Sequence, residues 1–259
     1  MNQDQAYSEF ILQMHRLFHV NLNFYKEKQM KRRIIHFYQK YGFRDFAQFA
    51  HALERDKALA DEFMQRITIN VTEFFRNPQR WDALLRMLAR RGPQDGQLTA
   101  WSAACSTGEE PYTLAMLCER LGYRGYRIRA TDIDQQVLAK AERGIYGESS
   151  LRSVPANLRQ HFFTLTDAGY RFERGKLCGQ VLFQRHDLLK DPVQDSFDLI
   201  LCRNVAIYFT DEAKEMLYAK LSNALRTGGI LFVGSTEQIF YAERYSLRSV
   251  EPFFYQKLG

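Results

Sequence analysis

The sequence predicts an α/β fold: a small N-terminal all-helical domain, then a parallel sheet with a small β insertion. Three observations carry that expectation. From Tyr7 to about Arg90 apolar residues recur at helical spacing, with few glycines and one proline, Pro78. After the turn-rich join Arg91-Gly92-Pro93-Gln94-Asp95-Gly96, short apolar runs alternate with helical stretches, as in a parallel sheet. Leu98 to Tyr112 then runs from a strand through a turn of small residues into a helix opened by two carboxylates and a proline. The expected division is 1–76 helical, 77–97 linker helix and turn, and 98–259 sheet domain with the β insertion at about 160–178. At 259 residues and 46% hydrophobic, the chain is long and apolar enough for a large domain plus a small one.

The elements follow in order. Within the helical part, Asn23 to Arg44 holds seven basic residues, Lys26, Lys28, Lys31, Arg32, Arg33, Lys40 and Arg44, against the single acid Glu27. Met30, Ile34, Phe37 and Tyr41 share one stripe of that helix, so it packs on one side and presents a cationic face on another. Pro78 opens the next helix, which contains Trp81, Leu84, Leu85 and Leu88. Strands are expected at Leu98–Ser102, Arg127–Ala130, Val181–Arg185 and Phe197–Cys202, the last an apolar run that suits a buried parallel strand. A helix spans Gln135 to Arg143. Between Leu151 and Gly179 the alternation breaks, and Gly169 to Gly175 reads as a short exposed hairpin. The last helix, about Asp211 to Arg226, is expected to stop at Gly228-Gly229, before a strand at Ile230–Gly234 and a hairpin strand around Pro252 to Lys257.

Chemistry concentrates at the strand ends. Ala103, Ala104, Ser106 and Gly108 are small enough for a ligand to approach the backbone, as in a nucleotide cradle. Glu109 and Glu110 argue against a phosphate at this helix N-terminus, because they repel an anion. A guest with hydroxyls and positive charge fits better, and S-adenosylmethionine has both. Asp132, at the end of the second strand, stands where dinucleotide folds place the carboxylate that takes ribose hydroxyls. Asp132 and Asp134 divide two roles, ligand contact and helix cap, with the cap falling to Asp134. Arg203 and Asn204 lie beyond the carboxyl end of Phe197–Cys202, where open α/β sheets bind ligands. Tyr208 is open to two readings, ordinary packing or a place in the same crevice.

Four segments in register resemble the CheR-type chemotaxis receptor glutamate methyltransferases. They are Ile69-Asn70-Val71-Thr72-Glu73-Phe74-Phe75-Arg76, Trp101 to Tyr112, Cys202-Arg203-Asn204-Val205 and Ile207-Tyr208-Phe209, and the likeness runs from about Phe10 to Phe253-Phe254-Tyr255. The resemblance implies a Rossmann-like class I S-adenosylmethionine-dependent methyltransferase sheet. It implies cofactor contacts from Asn70, Thr72, Arg76, Glu110, Asp132, Arg203 and Asn204, and places Tyr208 beside the methyl-transfer position. Family members usually carry an Asn-Leu pair after the third strand; here Asp187-Leu188 stands there, and an aspartate accepts from the adenine amino group but cannot donate. The implied substrate is a glutamate side chain on the cytoplasmic helices of a methyl-accepting chemotaxis receptor, with Arg76 and Tyr208 as the catalytic pair. A carboxylate with pKa about 4.3 is already ionised at neutral pH, so no general base is needed. The basic helix, through Lys28, Lys31, Arg32 and Arg33, would steer glutamate-rich receptor helices. Some family members use a longer glycine-containing loop in the β insertion to grip a receptor C-terminal pentapeptide, and this chain lacks such a loop.

Composition narrows the classes further. Cys105, Cys118, Cys178 and Cys202 show no paired spacing, so no metal site or disulfide framework is expected, and the setting is the cytoplasm. No apolar run approaches the ~20 residues of a spanning helix, and the N-terminus has no signal-peptide pattern. A sequence pI near 9.1 raises a nucleic-acid methylase as a rival, but Cys-Arg-Asn-Val replaces the Asn/Asp-Pro-Pro-aromatic strand end of base amino-methylases, so no nucleic-acid partner is expected. A non-catalytic receptor-binding protein on the same fold is the second rival.

Overall fold

The computed structural model describes residues 3–68, 70–92 and 97–259. Ile69 and residues 93–96 of the turn-rich join lie outside the described residues. The chain divides into two compact units: one runs to Asn70 and includes Val205–Leu217, and the other comprises Val71–Asn204 and Tyr218–Gly259. This differs from the boundary expected at residue 76. The Val71–Arg76 segment belongs with the sheet, because the Phe74 amide donates to the Ser150 carbonyl at 3.1 Å and the Phe75 amide to Thr113 Oγ1 at 3.2 Å.

The helical unit contains α1 (Gln3–Phe18), α2 (Glu27–Lys40), α3 (Phe46–Arg55) and α4 (Lys57–Thr68). Asp45 caps α3 by accepting from the Gln48 amide at 2.8 Å, satisfying one of the orphan donors of the first turn. The core is aromatic: Phe10, Phe37, Phe49 and Phe63 are buried, with ring centroids 5.1 Å apart for Phe49–Phe63 and 5.3 Å for Phe37–Phe63. Such pairs contribute about 0.5–1.5 kcal/mol each beyond burial of their area. On α2 the buried stripe is Met30, Ile34, Phe37 and Tyr38, whereas Tyr41 is exposed. Tyr38 takes the place expected for Tyr41 because its ring packs on Phe46 at 5.4 Å. The segment after Asn204 is stitched into this unit. Tyr25 and Phe209 form an antiparallel bridge with edge-to-face rings at 5.1 Å, the Lys26 amide donates to the Tyr208 carbonyl at 2.9 Å, and the Thr210 amide donates to the Phe24 carbonyl at 2.8 Å.

The second unit carries α5 (Pro78–Arg91), β1 (Thr99–Ser102), α6 (Glu109–Arg120), β2 (Arg127–Asp132), α7 (Gln135–Arg143), β3 (Ile145–Tyr146), α8 (Ala156–Phe162), β4 (Phe163–Thr166), β5 (Gly169–Phe172), β6 (Gln180–Arg185) and β7 (Phe197–Cys202). After α9 (Asp211–Asn223), which begins in the helical unit, come β8 (Leu225–Val233), β9 (Leu247–Glu251) and β10 (Phe254–Lys257). The main sheet has the order β6-β2-β1-β7-β8-β10-β9, parallel through β8 and antiparallel at β10 and β9. Order reverses between β1 and β7, which opens a crevice at the carboxyl ends of these strands. β7 is buried at every position, as its apolar run predicts. α7 starts at Asp134, whose carboxylate accepts from the Gln136 amide at 2.8 Å, and stops at left-handed Gly144.

Two expectations need correction. Gly228-Gly229 does not stop a helix: α9 ends at Asn223 and the glycines lie inside β8, where Phe197 pairs with Leu225 but Leu199 with Ile230. The strand bulges there, and a Cβ on Gly229 would stand 2.8 Å from the Arg226 carbonyl oxygen. The hairpin read at Gly169–Gly175 lies earlier, and the insertion expected at about 160–178 takes in a strand as early as Ile145. β4 and β5 form a hairpin turning at Asp167-Ala168, and β3 joins it to give a small antiparallel sheet of order β3-β5-β4. No helix among the described residues is long and apolar enough to cross a membrane.

Candidate functional site

The sheet unit gathers buried charge at the carboxyl ends of β1, β2, β7 and β8. From β1 the chain turns through Ala103 to Thr107, fastened by the Ala103 amide to the Leu201 carbonyl at 2.8 Å and the Cys105 amide to the Thr131 carbonyl at 2.9 Å. Gly108 follows in the left-handed region at φ 95°. Its missing side chain serves packing: a Cβ would stand 2.8 Å from Ala141 Cβ on α7 and 3.0 Å from the Tyr146 hydroxyl. Here the glycine permits close helix contact, one of the uses of glycine in such turns.

Glu109 and Glu110 open α6 and are both withdrawn from water. Glu109 Oε2 accepts from the Thr107 hydroxyl at 2.6 Å, and burial pushes its pKa up. Glu110 accepts from the Ser102 hydroxyl at 2.8 Å and from Arg203 Nη1 at 3.3 Å. Burial raises the Glu110 pKa, against the opposing pull of Arg203. Asp132, 8% exposed, accepts from the Ser106 amide on Oδ2 at 2.9 Å and from the Asp134 amide on Oδ1 at 3.1 Å. Burial pushes its pKa up to about 6 despite those amides.

Arg203 is the buried cation among these acids. Its Nη2 donates to the Arg76 carbonyl at 2.8 Å and to Asn77 Oδ1 at 3.3 Å, while the guanidinium lies 4.5 Å from the Phe232 ring centroid and 5.3 Å from that of Trp81. Arg203 thus joins β7, α6 and the segment before α5. Asn204 follows with a left-handed φ of 59°, and its amide donates to Glu237 Oε2 at 2.5 Å.

The remaining expected site residues are placed as follows. Arg76 and Thr72 are half-buried, and Arg76 Nη1 donates to the Val71 carbonyl at 2.9 Å. Asp187, half-buried after β6, accepts on Oδ1 from the amides of Leu189 at 2.9 Å and Lys190 at 3.2 Å, so it shapes a turn. Leu188 is buried and its carbonyl accepts from Lys220 Nζ at 2.6 Å. Asn70 and Tyr208 belong to the helical unit. Asn70 Nδ2 donates to Thr68 Oγ1 at 2.9 Å, and the Arg33 guanidinium lies 5.2 Å from the Tyr208 ring centroid. The structure therefore brings Glu110, Arg203 and the Arg76 main chain into one cluster, and Asp132 into the adjoining turn.

Two residues of the cluster escape sequence reasoning. Glu237, 4% exposed, holds the strand-end amides of Asn204 and Gly234, the latter at 2.8 Å. Tyr146 donates to the Thr107 carbonyl at 2.9 Å and backs the turn. For Glu237 a signal exists, a glycine at a strand end with a carboxylate three residues on; for Tyr146 there is none.

The donor set suits S-adenosyl-L-methionine. The carboxylates of Glu109, Glu110 and Asp132 outnumber the neighbouring Arg203 cation, an imbalance that a sulfonium and an ammonium relieve and a pyrophosphate worsens. Comparisons agree with this chemistry. The CheR methyltransferase all-alpha domain model matches residues 5–68, and the CheR methyltransferase SAM-binding domain model matches residues 70–252. The chemotaxis protein methyltransferase of Listeria monocytogenes is 45% identical over 241 residues, 92% of each chain. That of Escherichia coli K12 is 33% identical over 235 residues, covering 86% of this chain and 81% of its own. An all-helical domain followed by an S-adenosylmethionine-binding domain, matched across nearly the full length, identifies the chain as a member of the CheR methyltransferase family.

Proposed function

We propose that this protein is a protein-glutamate O-methyltransferase that converts glutamate side chains on the cytoplasmic helices of chemotaxis receptors to γ-glutamyl methyl esters during adaptation. The observation that carries this reading is the acidic cluster of buried Glu109 and Asp132 with half-buried Glu110, and Arg203 as its buried cation, in a chain of this family. When bound, S-adenosyl-L-methionine supplies a methyl group on a sulfonium. Asp132 suits the ribose hydroxyls, and Glu110 supplies negative charge. The Val71–Arg76 segment and Asn204 border the same cofactor, Asp187 and Leu188 its adenine, and Asn70 and Thr72 complete the set.

The acceptor arrives ionised, so the chain's task is alignment and exclusion of water. Arg76 holds one carboxylate oxygen by a charge-assisted hydrogen bond, and Tyr208 borders the reacting methyl. On α2, Lys28 and Arg32 are exposed, whereas Lys31 pairs with Asp4 at 2.6 Å and Arg33 lies on Tyr208. Lys28 and Arg32 are therefore the groups that meet acidic receptor helices, and Lys31 and Arg33 shape the surface beneath them. The two-residue turn between β4 and β5 supports action without a receptor C-terminal pentapeptide. Receptor tails of this kind lie in the cytoplasm, and so does the enzyme.

The test is transfer of tritium from labelled cofactor to a receptor cytoplasmic fragment. Label released by mild base as methanol supports the ester; label that resists base, or none, overturns it. Tyr208→Phe and Arg76→Ala are expected to lower kcat, and unchanged kcat in both removes them from the reacting centre. Binding of the pentapeptide in calorimetry refutes independence from it.

A further inference from the structure

We propose that Glu237 is a positioning residue for cofactor binding, locking the turn that carries Asn204. Three observations converge on it. The amides of Asn204 and Gly234, at the carboxyl ends of the parallel neighbours β7 and β8, both donate to one oxygen of Glu237, Oε2, at 2.5 and 2.8 Å. Asn204 sits at φ 59°, in the left-handed region that residues with a side chain enter chiefly where local contacts hold them. Gly234 leaves no room for a side chain, since a Cβ there would overlap Glu237 Oε2 and stand 2.8 Å from the Asn204 amide nitrogen. Carboxylate, glycine and left-handed asparagine thus depend on one another.

The charge of Glu237 acts in the same place. Buried and 4% exposed, it helps hold Arg203 charged and raises the pKa of Glu110. Its pull on the Asn204 amide fixes the peptide that follows Arg203, and so the direction of the Asn204 side chain. This inference rests on Asn204 as a cofactor contact, and its test uses cofactor product rather than receptor.

The experiment measures S-adenosylhomocysteine Kd by calorimetry, with the melting temperature and the KM and kcat for methyl transfer. Glu237→Ala strips both amides of their acceptor and is expected to raise Kd and cofactor KM about tenfold, with kcat at saturating cofactor within about twofold. Glu237→Gln keeps one oxygen for both amides, and its Kd stays within about threefold of wild type. Gly234→Ala, which displaces the carboxylate without removing it, reproduces the alanine effect on Kd and stands in if Glu237→Ala does not fold. A lower melting temperature with unchanged Kd in the alanine variants, or a glutamine variant as impaired as Glu237→Ala, overturns the proposal. Wild-type binding of the product without receptor methylation would fault the proposed substrate and leave this inference standing.

Discussion

An acid buried as deeply as Asp132 makes stability depend on pH, and its replacement by asparagine removes that dependence. In the folded chain its pKa stands at about 6 against an ordinary 3.8, chiefly through burial. At 1.36 kcal/mol per pH unit this corresponds to roughly 3 kcal/mol. The sign follows from proton binding: a folded-state pKa above the unfolded one means the native state holds the proton more tightly. Stability from this group is therefore full below about pH 4, declines between pH 4 and 6, and is absent above. Asp132→Asn cannot titrate. It also gives up an acceptor, because the Ser106 and Asp134 amides use different oxygens, which shifts its stability by about 1–3 kcal/mol at every pH. The measurement is urea unfolding of the cofactor-free protein from pH 4 to 7.5 for both chains. The wild-type value should rise by about 2 kcal/mol relative to the variant as pH falls from 7 to 4. Parallel curves would refute the assignment of a raised pKa to Asp132.

Further expectations come from neighbouring contacts. Glu110→Ala leaves the Arg203 guanidinium, 2% exposed, without its carboxylate and should cost about 3–5 kcal/mol in chemical denaturation, whereas Glu110→Gln costs less. Gly108→Ala combines a φ of 95° with a Cβ 2.8 Å from that of Ala141; a loss of about 2–4 kcal/mol is expected, and an unchanged melting temperature would contradict the packing described. Reversing charge at Lys28 and Arg32 to glutamate should lower kcat/KM for receptor methylation on the order of tenfold and flatten its salt dependence. Calorimetric affinity for S-adenosylhomocysteine stays at the wild-type value in that double variant.

Local punctuation made much of the fold legible. β7 begins and ends where its apolar run does, and α7 runs from the residue after Asp134 to the residue before Gly144, because a cap and a left-handed glycine are local devices. Gly228-Gly229 misled for the same reason: the pair carries the same local signature at a helix end and at a bulge, and only pairing with β7 distinguishes them. At the site, Glu110, Asp132 and Arg203 stand out as polar residues ending apolar strands or opening a helix. Tyr146 does not, since its role arises from a contact with Thr107, far away in sequence, and Glu237 is marked only by the strand-end glycine three residues before it. Likewise, nothing in Val205 to Leu217 announces that it packs with a unit begun at the N-terminus, for its apolar residues fit either home equally well.

That last segment changes how the protein can be taken apart. Because the helical body is assembled from two stretches of chain, truncation after Asn70 removes the partner of Tyr25, and a fragment starting at Val71 strands Phe209 without its aromatic neighbour. Chimeras that exchange the helical body between relatives must therefore transplant Val205–Leu217 together with the N-terminal helices. Proteolytic nicking near Asn70 would leave both pieces tethered through that returning loop.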